Sequence, residues 1–236
     1  MLFNSYTFIL LFLPITLLGV YLLGRHQSAR VVVGWLIACS VAFYGTWNPI
    51  SLAIIVPSLV INYGLGRWIA ACLQRPSPDE RAASILLGLG IVFNLCFLGY
   101  FKYKNFLLDT SNWAFGTDWP LSPLLLPLRI SFITFQKIAF LIDIRSGTIR
   151  SFTAFDFLIF VFFFPQLVAG PIVHYREMVP QFHSFSAKLQ SHHLAVGLSL
   201  FAMGLFKKAV LADGIAQHAN LAFTAAEQGD PLNLLQ

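Results

Sequence analysis

Residues 126–147 read LPLRISFITFQKIAFLIDIRSG, and residues 155–171 read FDFLIFVFFFPQLVAGP. Each is close to the length of a membrane span. Each also carries polar or helix-breaking residues where a plain lipid anchor would hold only Leu, Ile and Val. On a helix, Arg129, Gln136 and Asp143 fall seven residues apart and drift only about 20° per step, so they form one polar stripe. Fourteen residues at about 1.5 Å each make that stripe roughly 21 Å long. An ionisable group facing lipid costs several kcal/mol, about 2.5–3.5 for Arg or Asp at mid-depth. The stripe is therefore expected to face a protein interior or a watery cavity.

Composition points the same way along the rest of the chain. The 236 residues are 57% hydrophobic and only 11% charged, far below the charged share of soluble domains. That excludes soluble Rossmann or barrel classes, whose outer faces need charge. A net charge of +5, scattered between apolar runs, suits positive-inside topology better than a nucleic-acid surface. The predicted class is all-α, a polytopic integral membrane protein forming a single membrane domain over residues 1–236.

About seven transmembrane or broken helices are predicted: Tyr6 to Leu23, Val31 to Trp47, Ile50 to Leu73, Ala82 to Phe101, Leu124 to Ile144, Phe155 to Val173 and Leu194 to Leu211. Each approaches the ~20 residues that cross a ~30 Å hydrocarbon core. Pro57, Pro127, Pro165 and Pro171 interrupt several of them, and such breaks survive at depth only where protein or water satisfies the freed backbone. The N-terminus lacks a basic n-region and carries Pro14 within its apolar run, so it reads as an uncleaved first span.

If all seven cross, Arg25, Arg30, Arg75, Arg81, Arg145, Arg150, Lys207 and Lys208 lie near one face. Lys102, Lys104, Arg176 and Lys188 then lie near the other. The basic excess places the first face in the cytoplasm and the N-terminus outside.

Few residues declare chemistry. Cys39, Cys72 and Cys96 have no metal or disulfide spacing, and the six histidines form no zinc motif. No bound cofactor or metal is expected. His174, after the Gly170 and Pro171 break, reads either as a base at a membrane entrance or as an interfacial loop residue. His192 and His193 read as a polar pair before the seventh span. In LGYFKYKNF, residues 98–106, Lys102 and Lys104 alternate with Tyr100 and Tyr103. This is either an aromatic belt with snorkelling lysines or a cationic rim for an anionic polymer. Lys207 and Lys208 suggest a membrane-edge anchor or a docking point for an acidic carrier. The stripe itself has two readings, a site or a helix lock worth roughly 0.6–2 kcal/mol per hydrogen bond.

The succession LGYFKYKNF, LPLRISFITFQKIAFLIDIRSG, FFPQLVAGPIVHYREMVPQF and GLFKKAVLAD resembles the membrane-bound O-acyltransferase family. The branch it is most similar to is that of bacterial alginate O-acetylases, themselves similar to teichoic-acid D-alanyl transferase. Departures from the usual pattern are Arg129 for Gly, Ile133 for Tyr, and Ile144 with Arg145 after Ile-Asp.

The resemblance implies transfer of an acyl group, usually acetyl, from a cytoplasmic donor to a hydroxyl of an exported polysaccharide, alginate-like here. The donor is expected as a cosubstrate, acetyl-CoA or an acyl carrier. Expected partners are the lipid bilayer, the polysaccharide acceptor, and a periplasmic acetyltransferase or acyl carrier protein, with no nucleic acid. Family members are about twice as long, and their catalytic histidine lies in the second half. This chain is therefore expected to correspond to the N-terminal half, with no catalytic residue assigned before Gln236. Lys102, Lys104, Gln136, Asp143, Gln166 and Arg176 are the expected polar lining of its tunnel. The rival readings are a transporter or channel-like subunit and an inactive scaffold.

Overall fold

The computed structural model describes residues 2–47, 49–120, 130–168, 173–183 and 191–228. These residues are helical, with no strand among them. In order they form α1 (Leu13–His26), preceded by a π-helical turn at Phe8–Phe12, then α2 (Ala29–Trp47), α3 (Pro49–Leu73) and α4 (Glu80–Leu98). A second π turn, Gly99–Tyr103, joins α4 to α5 (Lys104–Phe115). Next come α6 (Ile130–Arg145), α7 (Ala154–Phe162), α8 (Phe164–Val168) and α9 (Tyr175–His183). Finally α10 (Ser191–Phe206) runs through a third π turn, Lys207–Ala212, into α11 (Asp213–Gln228). Among the described residues, five stretches are long and apolar enough to cross a membrane: Phe8–His26, Ala29–Thr46, Pro49–Leu73, Glu80–Phe115 and Ser191–Glu227.

The chain divides into two compact units. One comprises residues 1–21 and 187–236, the other residues 22–186. In the first, Phe8 stacks on Phe12 and lies against Phe201 on α10. The seventh predicted span does not stop at Leu211; the helix continues to Gln228, and Lys208 pairs with Asp213 across the π turn.

The second unit is organised around α6. α3, α4 and α6 pack on one another, and α2 packs against α7, α8 and α9. The small residues explain how close α6 comes. A Cβ on Gly90 would lie 2.6 Å from Leu141 Cδ1, and one on Gly66 would lie 2.9 Å from Ile144 Cδ1. Without a hydrophobic drive between helices in lipid, such small-residue contacts supply the van der Waals packing that holds spans together. Phe140, Leu141 and Ile144 are fully buried as a result.

Side-chain contacts fix which helix ends share a level. Arg145 reaches Glu80 at 3.5 Å and donates from Nε to Ser84 Oγ at 3.1 Å. Gln74 donates to the Arg150 carbonyl at 2.7 Å. The C-terminal ends of α3 and α6 therefore meet the start of α4 at one end of the bundle.

The sixth predicted span departs from expectation. α7 begins at that same end, where Thr153 and Asp156 form a reciprocal capping box. It runs only nine residues, about 13 Å, far short of a ~30 Å crossing. Phe163 then leaves helical geometry at ψ 108, two residues before Pro165. Proline cannot donate the next helical hydrogen bond, and its ring clashes with the preceding turn. From residue 173 the described chain lies at that same end, with His174 facing Asp143 and His183 facing Asp156. Phe155 and Val173, the two ends of the sixth predicted span, therefore lie at one end of this unit rather than at opposite ends. Arg176, expected at the opposite face, accordingly lies at the end that carries Arg145 and Arg150. Lys188 lies outside the described residues.

Candidate functional site

The interior of the α3–α4–α6 trio is polar at its centre. Ser58 and Asn62 lie one turn apart on α3, and Asn94 faces them from α4. Asn94 Nδ2 donates to Asn62 Oδ1 at 2.6 Å and to the Gly90 carbonyl at 2.8 Å. Asn62 Nδ2 donates to Asn94 Oδ1 at 3.3 Å and to the Ser58 carbonyl at 2.7 Å. Both side chains are fully buried, and between them every amide hydrogen is used. That satisfaction is what makes the pair tolerable in an apolar surround.

Lys137 reaches the same centre from α6. It is fully buried, donates from Nζ to Ser58 Oγ at 2.8 Å, and lies over the Phe97 ring at 4.8 Å. No carboxylate pairs with it among the described residues. It sits eight residues before Arg145, about 12 Å along the axis. Lys137 is the main residue that sequence reasoning missed. Successive helical residues point about 100° apart, so a stripe drawn through Gln136 leaves its neighbour on another face. The signal was nonetheless present, since an isolated cation inside an apolar run is a functional candidate by default.

Gln136 faces the other way, toward α7. It is buried, and its Nε2 donates to the Phe160 carbonyl at 3.4 Å, while Oε1 has no partner among the described residues. Both amide atoms of Gln166, on α8, are buried and likewise without a described partner. Two amides with unspent hydrogen-bonding capacity therefore lie on either side of the break at Phe163. Thr134 Oγ1 and Ser51 Oγ are in the same condition.

Asp143 lies near the end of α6, half buried. His174 Nδ1 approaches its Oδ2 at 3.9 Å, and Arg176 is within electrostatic reach of the same carboxylate. Tyr175, between them in sequence, is buried against Phe140 and Phe160. Burial first, then the Asp156 carboxylate, pushes its phenol above the ordinary range, so it acts as a neutral hydroxyl.

Lys102 and Lys104 stand at the opposite end, roughly 33 Å along the helix from Glu80 at 1.5 Å per residue. Lys102 lies over the Tyr103 ring at 5.2 Å, and Lys104 over the Tyr100 ring at 5.5 Å.

The six expected lining residues thus fall in three places. Asp143 and Arg176 meet at one end with His174, Gln136 and Gln166 flank the broken segment, and Lys102 and Lys104 mark the far end. Arg129, the first member of the stripe, lies outside the described residues, as do Gly170 and Pro171. His192 and His193 are exposed at the start of α10, their rings 6.0 Å apart. The described residues hold no cluster of three metal-ligating side chains.

Comparison with known proteins adds what geometry alone does not. The chain is 36% identical to the peptidoglycan O-acetyltransferase of Helicobacter pylori, over 96% of this chain and 47% of that protein. It is 37% identical to the "Probable alginate O-acetylase AlgI" of Pseudomonas aeruginosa, over 94% of this chain and 42% of that protein. The teichoic acid D-alanyltransferase of Lacticaseibacillus rhamnosus is 31% identical over 52% of this chain and 32% of its own length. The chain spans about half the length of the first two relatives. No solved structure matches it. The family described as MBOAT, membrane-bound O-acyltransferase, matches residues 86–227, from the polar centre on α4 through the broken segment to α11. The chain belongs to the membrane-bound O-acyltransferase family.

Proposed function

We propose that this chain forms part of an enzyme that O-acetylates an exported polysaccharide with an acyl group delivered from the cytoplasm. The observation that carries the reading is the similarity to two O-acetyltransferases along nearly the whole chain, through both the polar centre and the broken segment. The basic end with Arg30, Arg145, Arg150 and Arg176 is placed in the cytoplasm on the positive-inside rule, in the inner membrane, with the N-terminus outside. Asp143, His174 and Arg176 then stand on the side from which a donor such as acetyl-CoA or an acyl carrier protein approaches. Lys102 and Lys104, each against a tyrosine ring, stand on the side of an anionic glycan. Gln136 and Gln166 offer hydrogen bonds between the two ends.

No acyl-transfer base is proposed among the residues named here. Residues 1–236 supply the wall and the helix packing. The glycan acceptor and a periplasmic acetyltransferase partner complete the proposal.

The test is deletion of the encoding gene, followed by measurement of acetate released from the exported glycan by mild alkali. O-acetyl content is expected to fall to background and to return with the intact gene but not with a Lys137→Ala version. Unchanged O-acetylation after deletion overturns the reading.

A further inference from the structure

Apart from the polar centre, a cavity of about 590 Å³ opens between the start of α2, the start of α7 and the end of α9, with Ser28, Arg30, Val33, Phe155, Asp156 and His183 in its lining. Asp156 is fully engaged. Its Oδ2 accepts from Thr153 N and Thr153 Oγ1, both at 2.8 Å, and its Oδ1 pairs with His183 Nε2 at 2.9 Å. The carboxylate therefore serves to cap α7 and to hold the imidazole, and it is not left as an open acceptor in the cavity. The second ring nitrogen of His183 has no partner among the described residues. Neither has the Arg30 guanidinium, which enters the cavity wall from a different helix.

We infer that this cavity binds a phosphoester, with Arg30 and the Asp156-held His183 donating to the phosphoryl oxygens and Val33, Phe155 and Phe182 receiving its organic portion. A guanidinium presents a planar fork that matches phosphate oxygens two at a time. An imidazole that gives one N–H to a carboxylate still has, when doubly protonated, a second N–H to give to an anion. Donors supplied by two separate helices suit the several oxygens of a tetrahedral group better than the single edge of a carboxylate. The Val33, Phe155 and Phe182 side chains that complete the lining suit an ester rather than free inorganic phosphate. Two sources carry this chemistry, a lipid headgroup and a soluble nucleotide-type phosphoester.

The experiment measures binding to the full chain, purified in a maltoside detergent and stripped of phospholipid, with two probes. One is adenosine 3′,5′-bisphosphate and the other is a short-chain phosphatidylglycerol. At least one probe is expected to bind saturably, and Arg30→Gln is expected to weaken it about tenfold or more, the loss of one charge-assisted contact. His183→Gln is expected to weaken it severalfold, whereas Arg150→Gln, at the same end but outside the cavity, leaves it unchanged. Saturation by the bisphosphate alone identifies a soluble ligand, and saturation by the phosphatidylglycerol alone identifies a headgroup site. Binding of neither probe, an Arg30→Gln variant that binds like the parent, equal loss in Arg150→Gln, or succinate binding as tightly as the probes overturns the inference. Binding is read without turnover, so failure of the glycan assay above leaves this result standing, and the reverse holds too.

Discussion

Two polar clusters in the larger unit are buried in opposite ways. In α3, α4 and α6 the amides of Asn62 and Asn94 satisfy each other, and Lys137 finds Ser58 and the face of Phe97. Around α7 and α8 the amides of Gln136 and Gln166 remain wholly or partly unspent among the described residues. An interhelical lock needs its hydrogen bonds closed, because an open one costs more than no polar group at all. A conduit needs some of them open, so that a passing molecule has something to bind. On the function proposed above, the contrast gives the first cluster the work of holding the helices together and the second that of contact with what moves between them.

The sharpest way to break this contrast is to ask whether the broken segment really turns back. In a cysteine-free background, Arg176→Cys and Gly147→Cys are expected to react with a membrane-impermeant thiol reagent from the same side. Labelling from opposite sides would restore a crossing helix and dissolve the comparison.

Next in size is Lys137. Lys137→Ala leaves a cavity in the packed trio and is expected to cost about 3 kcal/mol in an unfolding assay in detergent or bicelles. Lys137→Met, which keeps the volume, is expected to cost less than about 1.5 kcal/mol. If both variants lose stability equally, the charge and not the packing holds the helices.

The Asn pair gives a smaller but cleaner effect. Asn94→Leu strands the Asn62 amide and is expected to cost about 2 kcal/mol, while the double replacement of Asn62 and Asn94 by Leu costs less than the sum of the singles. Strict additivity would mean that the two amides do not depend on each other.

Smallest is Gln166→Met, expected to shift stability by no more than about 0.5 kcal/mol, since no described bond is lost. If Gln166 contacts the substrate of the proposed reaction, the same change is expected to raise KM severalfold while stability stays within that range. A loss as large as that of Asn94→Leu would place Gln166 in a lock.

Much of this is legible in the sequence. Apolar runs of span length located the helices, because burial in lipid demands continuous hydrophobicity. The heptad offset of Gln136 pointed to an interior, where it is buried, and Pro165 marked the break at Phe163; Pro57, expected to interrupt the third span, instead lies inside the unbroken α3, and Pro127 and Pro171 lie outside the described residues. That Phe155 and His174 lie at the same end was not legible, because hydropathy measures apolar length and cannot tell a crossing helix from shorter ones interrupted at Phe163. Nor were the partners of Asn62 and Lys137 readable. Each sits singly in an apolar run, and the residues that satisfy them are Asn94, 32 positions away, and Ser58, 79 positions away. Pairing over such separations is decided by helix packing, which local pattern does not carry.

The π-helical turn Gly99–Tyr103 has a consequence for how this rim varies. Such a turn accommodates one residue more than an α-helix does while the backbone continues, so it takes up a change of register between α4 and α5. Deleting Gly99 would let the helix close into regular α geometry, and Lys102 and Lys104 would keep nearly their present outlook, because the wider turn already absorbs the additional residue. The buried Asn94 would keep its partner as well. A single-residue deletion at this turn is thus a change of length that neither re-aims the rim nor touches the packing beneath it.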